Sequence, residues 1–214
     1  MTDTHWPDYY AVTVDRPAWG TVVLAADRFA AGDSPETPSR LAVDLGCGAG
    51  RDARELLRRG WRVIAVDGER SAIDALVAAT PARDRDRLST HVADIATFAI
   101  PACDLLVASV SLQFLPPRDY ARVFARIAAA LPHGGRFAGL IYGDRDESAG
   151  DPDVTCPSPA RIRRLLRGFA VESWFEREED GHLALGDPHH VHLIEVVARR
   201  RRRAGPAPSP SPIG

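Results

Sequence analysis

A chain of 214 residues that is 45% hydrophobic and 26% charged, with a formal net charge of -2, is one globular domain able to bury a sizeable core. All 27 basic residues are arginine, which excludes a Schiff-base lysine, the phosphate-gripping lysine of a P-loop and a Tyr-x-x-x-Lys dehydrogenase site. Five of those arginines form the single run Arg199–Arg203, so the rest of the chain is net acidic and poorly suited to a nucleic-acid groove.

The N-terminus, Met1-Thr2-Asp3-Thr4-His5, is polar and acidic and predicts no signal peptide. No apolar run reaches the ~18 residues of a membrane span, so the expectation is a cytoplasmic protein with no membrane partner. Trp6–Val14 carries aromatic residues, and Trp19, Val22, Val23, Ala26 and Phe29 fall on one helical stripe. Residues 1–39 are therefore read as a helical lid and linker, the linker being Gly32–Ser39. From Arg40 the chain alternates. Strands are predicted at Leu41–Leu45, Trp61–Val66, Leu88–Val92, Asp104–Ser109 and Arg136–Tyr142. Between them lie helical stripes of Ala53, Leu56 and Leu57, of Ile73, Leu76 and Val77, and of Tyr120, Val123, Phe124, Ile127 and Leu131. Ser158 and Pro159 are the N-cap and first position of a further helix, and Val171–Phe175 and Val191–Ala198 are two closing strands joined by a polar loop. This pattern predicts an α/β fold: a doubly wound, mostly parallel sheet over residues 40–198 with helices on both faces. Residues 199–214, an arginine run followed by Pro and Ser, read as a disordered tail.

Three dispersed cysteines, Cys47, Cys103 and Cys156, form neither a disulfide framework nor a zinc knuckle, and no resident metal is expected. The chemical signal is Asp44-Leu45-Gly46-Cys47-Gly48-Ala49-Gly50, between the first strand and its helix. Glycines there let the backbone approach a ligand and take positive φ. Asp67, at the end of the second strand, is placed to accept ribose hydroxyls. A dinucleotide site wants G-x-G-x-x-G, whereas here the third glycine arrives one residue early and Arg51 stands in its place. Asp44 would repel a pyrophosphate but suits a cofactor bearing an ammonium and a sulfonium. Charge therefore favours S-adenosylmethionine over a nicotinamide.

The segments Val43–Gly50, Val66-Asp67, Ala93-Asp94-Ile95, Asp104–Ser109 and Leu131–Phe137 resemble the class I S-adenosylmethionine-dependent methyltransferases. The resemblance implies a Rossmann-like seven-stranded sheet with an antiparallel last strand. It also implies that Asp44 and Gly46, Cys47 and Gly48 line the methionine side, Asp67 and Gly68 the ribose, and Asp94 and Ile95 the adenine. Ser109 would begin the segment near the methyl group, and Tyr10 would lie over the cofactor. A weaker likeness to the small tellurite-resistance branch rests on Tyr9-Tyr10, Arg16 and Gly143-Asp144-Arg145-Asp146.

The expected activity is methyl transfer to a small-molecule oxygen, nitrogen or sulfur nucleophile. A chalcogen oxyanion such as tellurite or selenite, or binding of the cofactor without turnover, stand as alternatives. On the acceptor side, His189 and His190 are expected at the rim of the loop Glu178–His189, as candidate bases or as ordinary surface histidines. Arg145 is a candidate anion contact or half of a surface pair with Asp144 or Asp146.

Overall fold

The computed structural model describes residues 6–32 and 39–202. Helix α1 (Trp6–Thr13) and helix α2 (Gly20–Ala30) precede strand β1 (Leu41–Leu45). Then follow α3 (Arg51–Arg58), β2 (Arg62–Asp67), α4 (Arg70–Ala79), β3 (Leu88–Val92), β4 (Leu105–Ser109) and α5 (Pro117–Ala130). The chain continues through β5 (Arg136–Tyr142), α6 (Pro159–Leu165), β6 (Phe169–His182) and β7 (Pro188–Arg200). The seven strands form one sheet in the order β3-β2-β1-β4-β5-β7-β6. Pairings are parallel from β3 across to β5, and β7 runs antiparallel to both β5 and β6. The predicted architecture is the observed one. Because the chain leaves β1 in one direction for β2 and returns to β4 on its other side, the crevice at the carboxyl ends of β1 and β4 is where a ligand is expected.

Burial on both faces explains the near-continuous apolar strands. Val43, Leu45, Leu106, Ala108, Phe137 and Ile141 face the core shared with α5 and α6. Their alternates Ala42, Val63, Ala65, Leu105, Val107 and Ala138 face the core shared with α2 and α3. Helix α5 presents Tyr120, Val123, Phe124 and Ile127 inward at helical spacing. At α6 the Ser158 Oγ accepts the Arg161 N–H at 3.3 Å and Pro159 opens the helix, as predicted.

Three boundaries differ from the sequence reading. Val22, Ala25, Ala26 and Phe29 of α2 are buried in the core against one face of the sheet, so α2 packs as part of the sheet's own core. The closing strands are much longer than expected, because β6 and β7 continue through the charged stretch and only residues 183–187 connect them. The tail expected from residue 199 begins later, since Arg199 and Arg200 are strand residues. Arg200 donates its N–H to Gly135 O at 2.7 Å, Arg201 N–H reaches Gly168 O at 3.1 Å, and Arg199 pairs with Glu172 at 3.1 Å. The rest of that tail, 203–214, and most of the linker, 33–38, lie outside the described residues.

Truncation separates the two parts of the arginine run. Removal of residues 203–214 is expected to leave urea denaturation unchanged. Removal of 199–214 is expected to cost about 3 kcal/mol or more, from the backbone hydrogen bonds of Arg200 and Arg201, including Gly134 N–H to Arg200 O, and one charge-assisted pair.

Candidate active site

The turn between β1 and α3 is built on glycine conformations. Gly46, Gly48 and Gly50 have φ of 74°, 52° and 81°. At Gly46 a Cβ would lie 2.3 Å from the Ser111 Cβ, and at Gly50 one would lie 2.1 Å from Leu76 Cδ1. Gly46 and Cys47 both donate their N–H to Val66 O, at 2.7 and 3.0 Å, tying the turn to β2. Ser111 is delivered against Gly46 by Val110, the one non-glycine residue with positive φ (52°) among the described residues. Its Oγ donates to Leu45 O at 2.6 Å.

Three carboxyls gather under this turn. Asp44 is fully buried; the Ala53 N–H at the start of α3 donates to it, and its Oδ2 has no hydrogen-bond partner. Burial pushes its carboxyl well above the usual range, with Asp52 and Asp67 adding to the shift. Asp52, in the first turn of α3, accepts the Trp19 N–H at 2.9 Å; its carboxyl is raised by burial and lowered by Ser109 and that N–H. Asp67 Oδ2 accepts the Gly48 N–H at 2.8 Å and Oδ1 accepts the Glu69 N–H at 3.0 Å, with Gly68 N–H also donating. A buried carboxylate oxygen without a donor, beside a backbone that only glycine can form, fits a cationic group. These residues therefore fit the ammonium and sulfonium of S-adenosylmethionine.

Tyr10 of α1 lies over the turn, its Cε1 3.6 Å from where a Gly48 Cβ would be, and it stacks on Trp6 at 5.9 Å. Trp6 in turn meets Phe114, past β4, edge-on at 5.6 Å. The helix is strapped down by Arg51 Nε on Pro17 O at 2.7 Å and by the Arg54 guanidinium on Val14 O. Arg16 reaches Ala184 O at the tip of the β6–β7 hairpin. Cys47 is buried, and burial holds its thiol far above the normal range, so it is a space-filling residue and not a nucleophile. Asp94 Oδ1 accepts the Ala96 N–H at 2.7 Å, and Ile95 packs at the edge of the core.

Several expected contacts change. Ser109 turns toward Asp52, one of the three carboxyls under the turn, on the α2–α3 face that alternation along β4 gives it. Arg145 is engaged by Glu176 and Glu178, each at 2.7 Å, so it is not held ready for an anionic acceptor. His190 is exposed on the hairpin and pairs through Nδ1 with Asp180 at 2.6 Å. His192 is wholly buried under Gly143, where a Cβ would lie 2.1 Å from its Nδ1. His189 alone of the three is buried beside the mouth, with its Nε2 2.9 Å from Asp146 Oδ1 and its ring 6.3 Å from that of Tyr142.

Sequence reasoning named Asp146 only within Gly143–Asp146 and as a surface partner of Arg145, and missed its pairing with His189. The Asp146 side chain is completely buried and also accepts the Ser148 N–H at 3.0 Å and the His192 N–H at 3.1 Å. It stands 43 positions from His189, and nothing local links the two.

A proton should leave when the cofactor arrives. In the free protein the raised Asp44 carboxyl is stabilised in its neutral form, so its ionisation opposes folding as pH rises through the carboxylate range. A bound cation favours the carboxylate, so affinity is expected to fall with falling pH below the raised value. Calorimetry in buffers of different ionisation enthalpy should show release of up to about one proton, abolished in Asp44→Asn.

Residues 42–135 match a family model described as a methyltransferase domain. The match and the seven-stranded sheet support a class I methyltransferase domain over this segment, with S-adenosylmethionine as the cofactor of that class. Among curated proteins, trans-aconitate 2-methyltransferase of Deinococcus radiodurans is 30% identical over 155 residues, covering 72% of this chain and 52% of that protein. The chain spans about half the length, or less, of the curated relatives it matches. Among solved structures, TehB from Haemophilus influenzae superposes with a TM-score of 0.72 at 19% identity, over 92% of this chain and 67% of that one. The 1,6-didemethyltoxoflavin-N1-methyltransferase of Burkholderia thailandensis, solved with S-adenosylhomocysteine, superposes with a TM-score of 0.65 at 20% identity, over 92% and 81%. These two show a shared fold. No helix among the described residues is long and apolar enough to cross a membrane.

Proposed function

We propose that this protein transfers a methyl group from S-adenosylmethionine to a small-molecule acceptor held between the glycine turn, the Phe114 segment and the β6–β7 hairpin. The observation that carries this reading is the buried Asp44 carboxylate with its unpartnered Oδ2 under the Gly46–Gly50 turn. Asp67 supports it by holding the turn from the ribose side. The relatives' names, trans-aconitate and 1,6-didemethyltoxoflavin among them, are those of small organic acceptors.

When bound, the cofactor supplies a methyl group on a sulfonium, open to in-line displacement. The work of the chain is to align and to exclude water. Asp44 holds the cofactor's methionine end and Asp67 its ribose, and α1 closes over it through Tyr10 and Trp6. Calorimetric binding of S-adenosylmethionine, followed by release of S-adenosylhomocysteine on an acceptor panel, tests the reading. Failure to bind either cofactor form overturns it. Binding without release from any acceptor would leave a cofactor-binding module.

A further inference from the structure

We infer that the acceptor is an uncharged or cationic molecule whose oxygen or nitrogen gives up a proton at the His189–Asp146 pair, and that oxyanions and polycarboxylates are rejected. This inference rests on the methyl-transfer reading above and narrows it. Its first support is the distribution of charge at the acceptor end of the sheet. The segment after β5 and the extended hairpin bring together Asp144, Glu147, Glu176, Glu178, Asp180 and Asp187. The cations on these elements and on the end of α1 are Arg16, Arg145 and Arg177, and each is engaged. Arg16 donates to Ala184 O, Arg145 pairs with Glu176 and Glu178, and Arg177 pairs with Glu179 at 2.8 Å. Further in, Arg51 and Arg54 are held on the Pro17 and Val14 carbonyls. The carbonyl contacts leave the charges of Arg16, Arg51 and Arg54 in place, but the carboxylates of the segment after β5 and of the hairpin outnumber the cations, so an anionic acceptor would enter a net negative field.

The second support is the geometry of His189. Its Nε2 faces the buried Asp146 carboxylate, whose other bonds all come from backbone N–H donors, so Nε2 carries the hydrogen. That leaves the lone pair on Nδ1, which lies 3.6 Å from Glu147 Oε2 and beyond hydrogen-bond reach. The groups around the ring are Asp146 and Glu147 after β5, Tyr142 at the end of β5, Gly181 opposite on β6 with Asp180 and His182 flanking it, and His190 on β7. Asp146 is a positioning residue, acting through the tautomer and orientation of His189.

The step balances. The nucleophile's lone pair forms the bond to the methyl carbon, the carbon–sulfur bond breaks with its electron pair remaining on sulfur, and the nucleophile's proton passes to Nδ1 and then to water.

The test has three arms. Release of S-adenosylhomocysteine is measured with catechol, a hydroxyquinoline and tryptamine against selenite, tellurite and trans-aconitate. Turnover confined to the first group is expected, and kcat/KM for any of the anions within about tenfold of the best uncharged or cationic probe overturns the inference. Independently of turnover, selenite is titrated into the S-adenosylhomocysteine complex. No saturable binding is expected, and saturation that a catechol displaces overturns the charge assignment.

The third arm is nitrogen NMR of the histidines in that complex. It should show His189 protonated at Nε2 and bare at Nδ1 near neutral pH, with the tautomer balance shifted in Asp146→Asn and S-adenosylhomocysteine affinity kept within about twofold. A His189 signal unchanged in Asp146→Asn overturns the positioning role. Should that variant not fold, His189→Gln carries the test: kcat is expected to fall about a hundredfold with catechol while KM and cofactor affinity hold, and an unchanged kcat overturns it. Loss of cofactor binding by the unmodified protein would instead sink the methyl-transfer reading itself, which keeps the two failures apart.

Discussion

Asp67→Ala is expected to raise the dissociation constant for S-adenosylhomocysteine about a hundredfold, equivalent to ~2.7 kcal/mol. One carboxylate holds two things at once. Oδ2 accepts the Gly48 N–H at 2.8 Å and Oδ1 the Glu69 N–H at 3.0 Å, so the side chain bridges the glycine turn and the start of α4. The likeness to class I methyltransferases adds the ribose hydroxyls to its load. Truncation leaves the Gly48 amide without its acceptor and loosens the turn, and a hydrogen bond to a charged group is worth about 1.5–3 kcal/mol. Asp67→Asn retains one carbonyl oxygen and should lose about tenfold. Titration calorimetry decides, and an affinity within threefold of the parent would remove Asp67 from the site. The same substitution should act on stability less than on binding, because the carboxyl is raised by burial and its ionisation already works against the folded state.

Gly46→Ala is the second large effect, with binding expected to vanish and stability to fall by about 3 kcal/mol. Two penalties combine. The φ of 74° is strained for any residue with a Cβ, and the new methyl would sit 2.3 Å from the Ser111 Cβ. Ser111 cannot retreat without breaking its 2.6 Å bond to Leu45 O, on the strand that carries Asp44. Gly60→Ala is the matched control, because φ there is 88° but nothing lies within 4 Å of the added carbon. It should cost about 1 kcal/mol and leave cofactor affinity alone. Equal losses in the two variants, read by urea denaturation and calorimetry, would show that close packing at Gly46 contributes nothing.

The cofactor half of the site was legible because its signals are local: an apolar strand, a glycine turn, a helix stripe, and an acid closing the next strand. Asp44 through Gly50 needs no knowledge of distant contacts to suggest its fold and ligand. The acceptor half was not legible in this way. Residues Glu176–His182 read as a loop because they are charged, yet they form an edge strand, where charge is compatible with extended structure. With the loop misread, the roles of Arg145 and His190 stayed open between acceptor contact and surface residue, and the carboxylates of β6 that occupy both could not be named. The pairing of Asp146 with His189 could not be found, since it is set by the antiparallel return of β7 and not by spacing. Asp52 left only the hint of an acid in a helix's first turn, and its contact with Trp19 ties α2 to α3 across the core.

Val110, turning at φ 52° between β4 and Ser111, is a β-branched residue in a region suited to glycine or asparagine. Such a conformation withholds of order 1–3 kcal/mol from folding and persists only because its neighbours enforce it. Here the Val110 N–H bond to Leu140 O at 2.9 Å and the Ser111 contact with Gly46 do so. A campaign to raise thermal tolerance would select glycine at this position and gain from it. The same change would loosen the Val110–Ser111 segment that packs against the Gly46 turn, so heat resistance and turnover should trade against each other at this one residue.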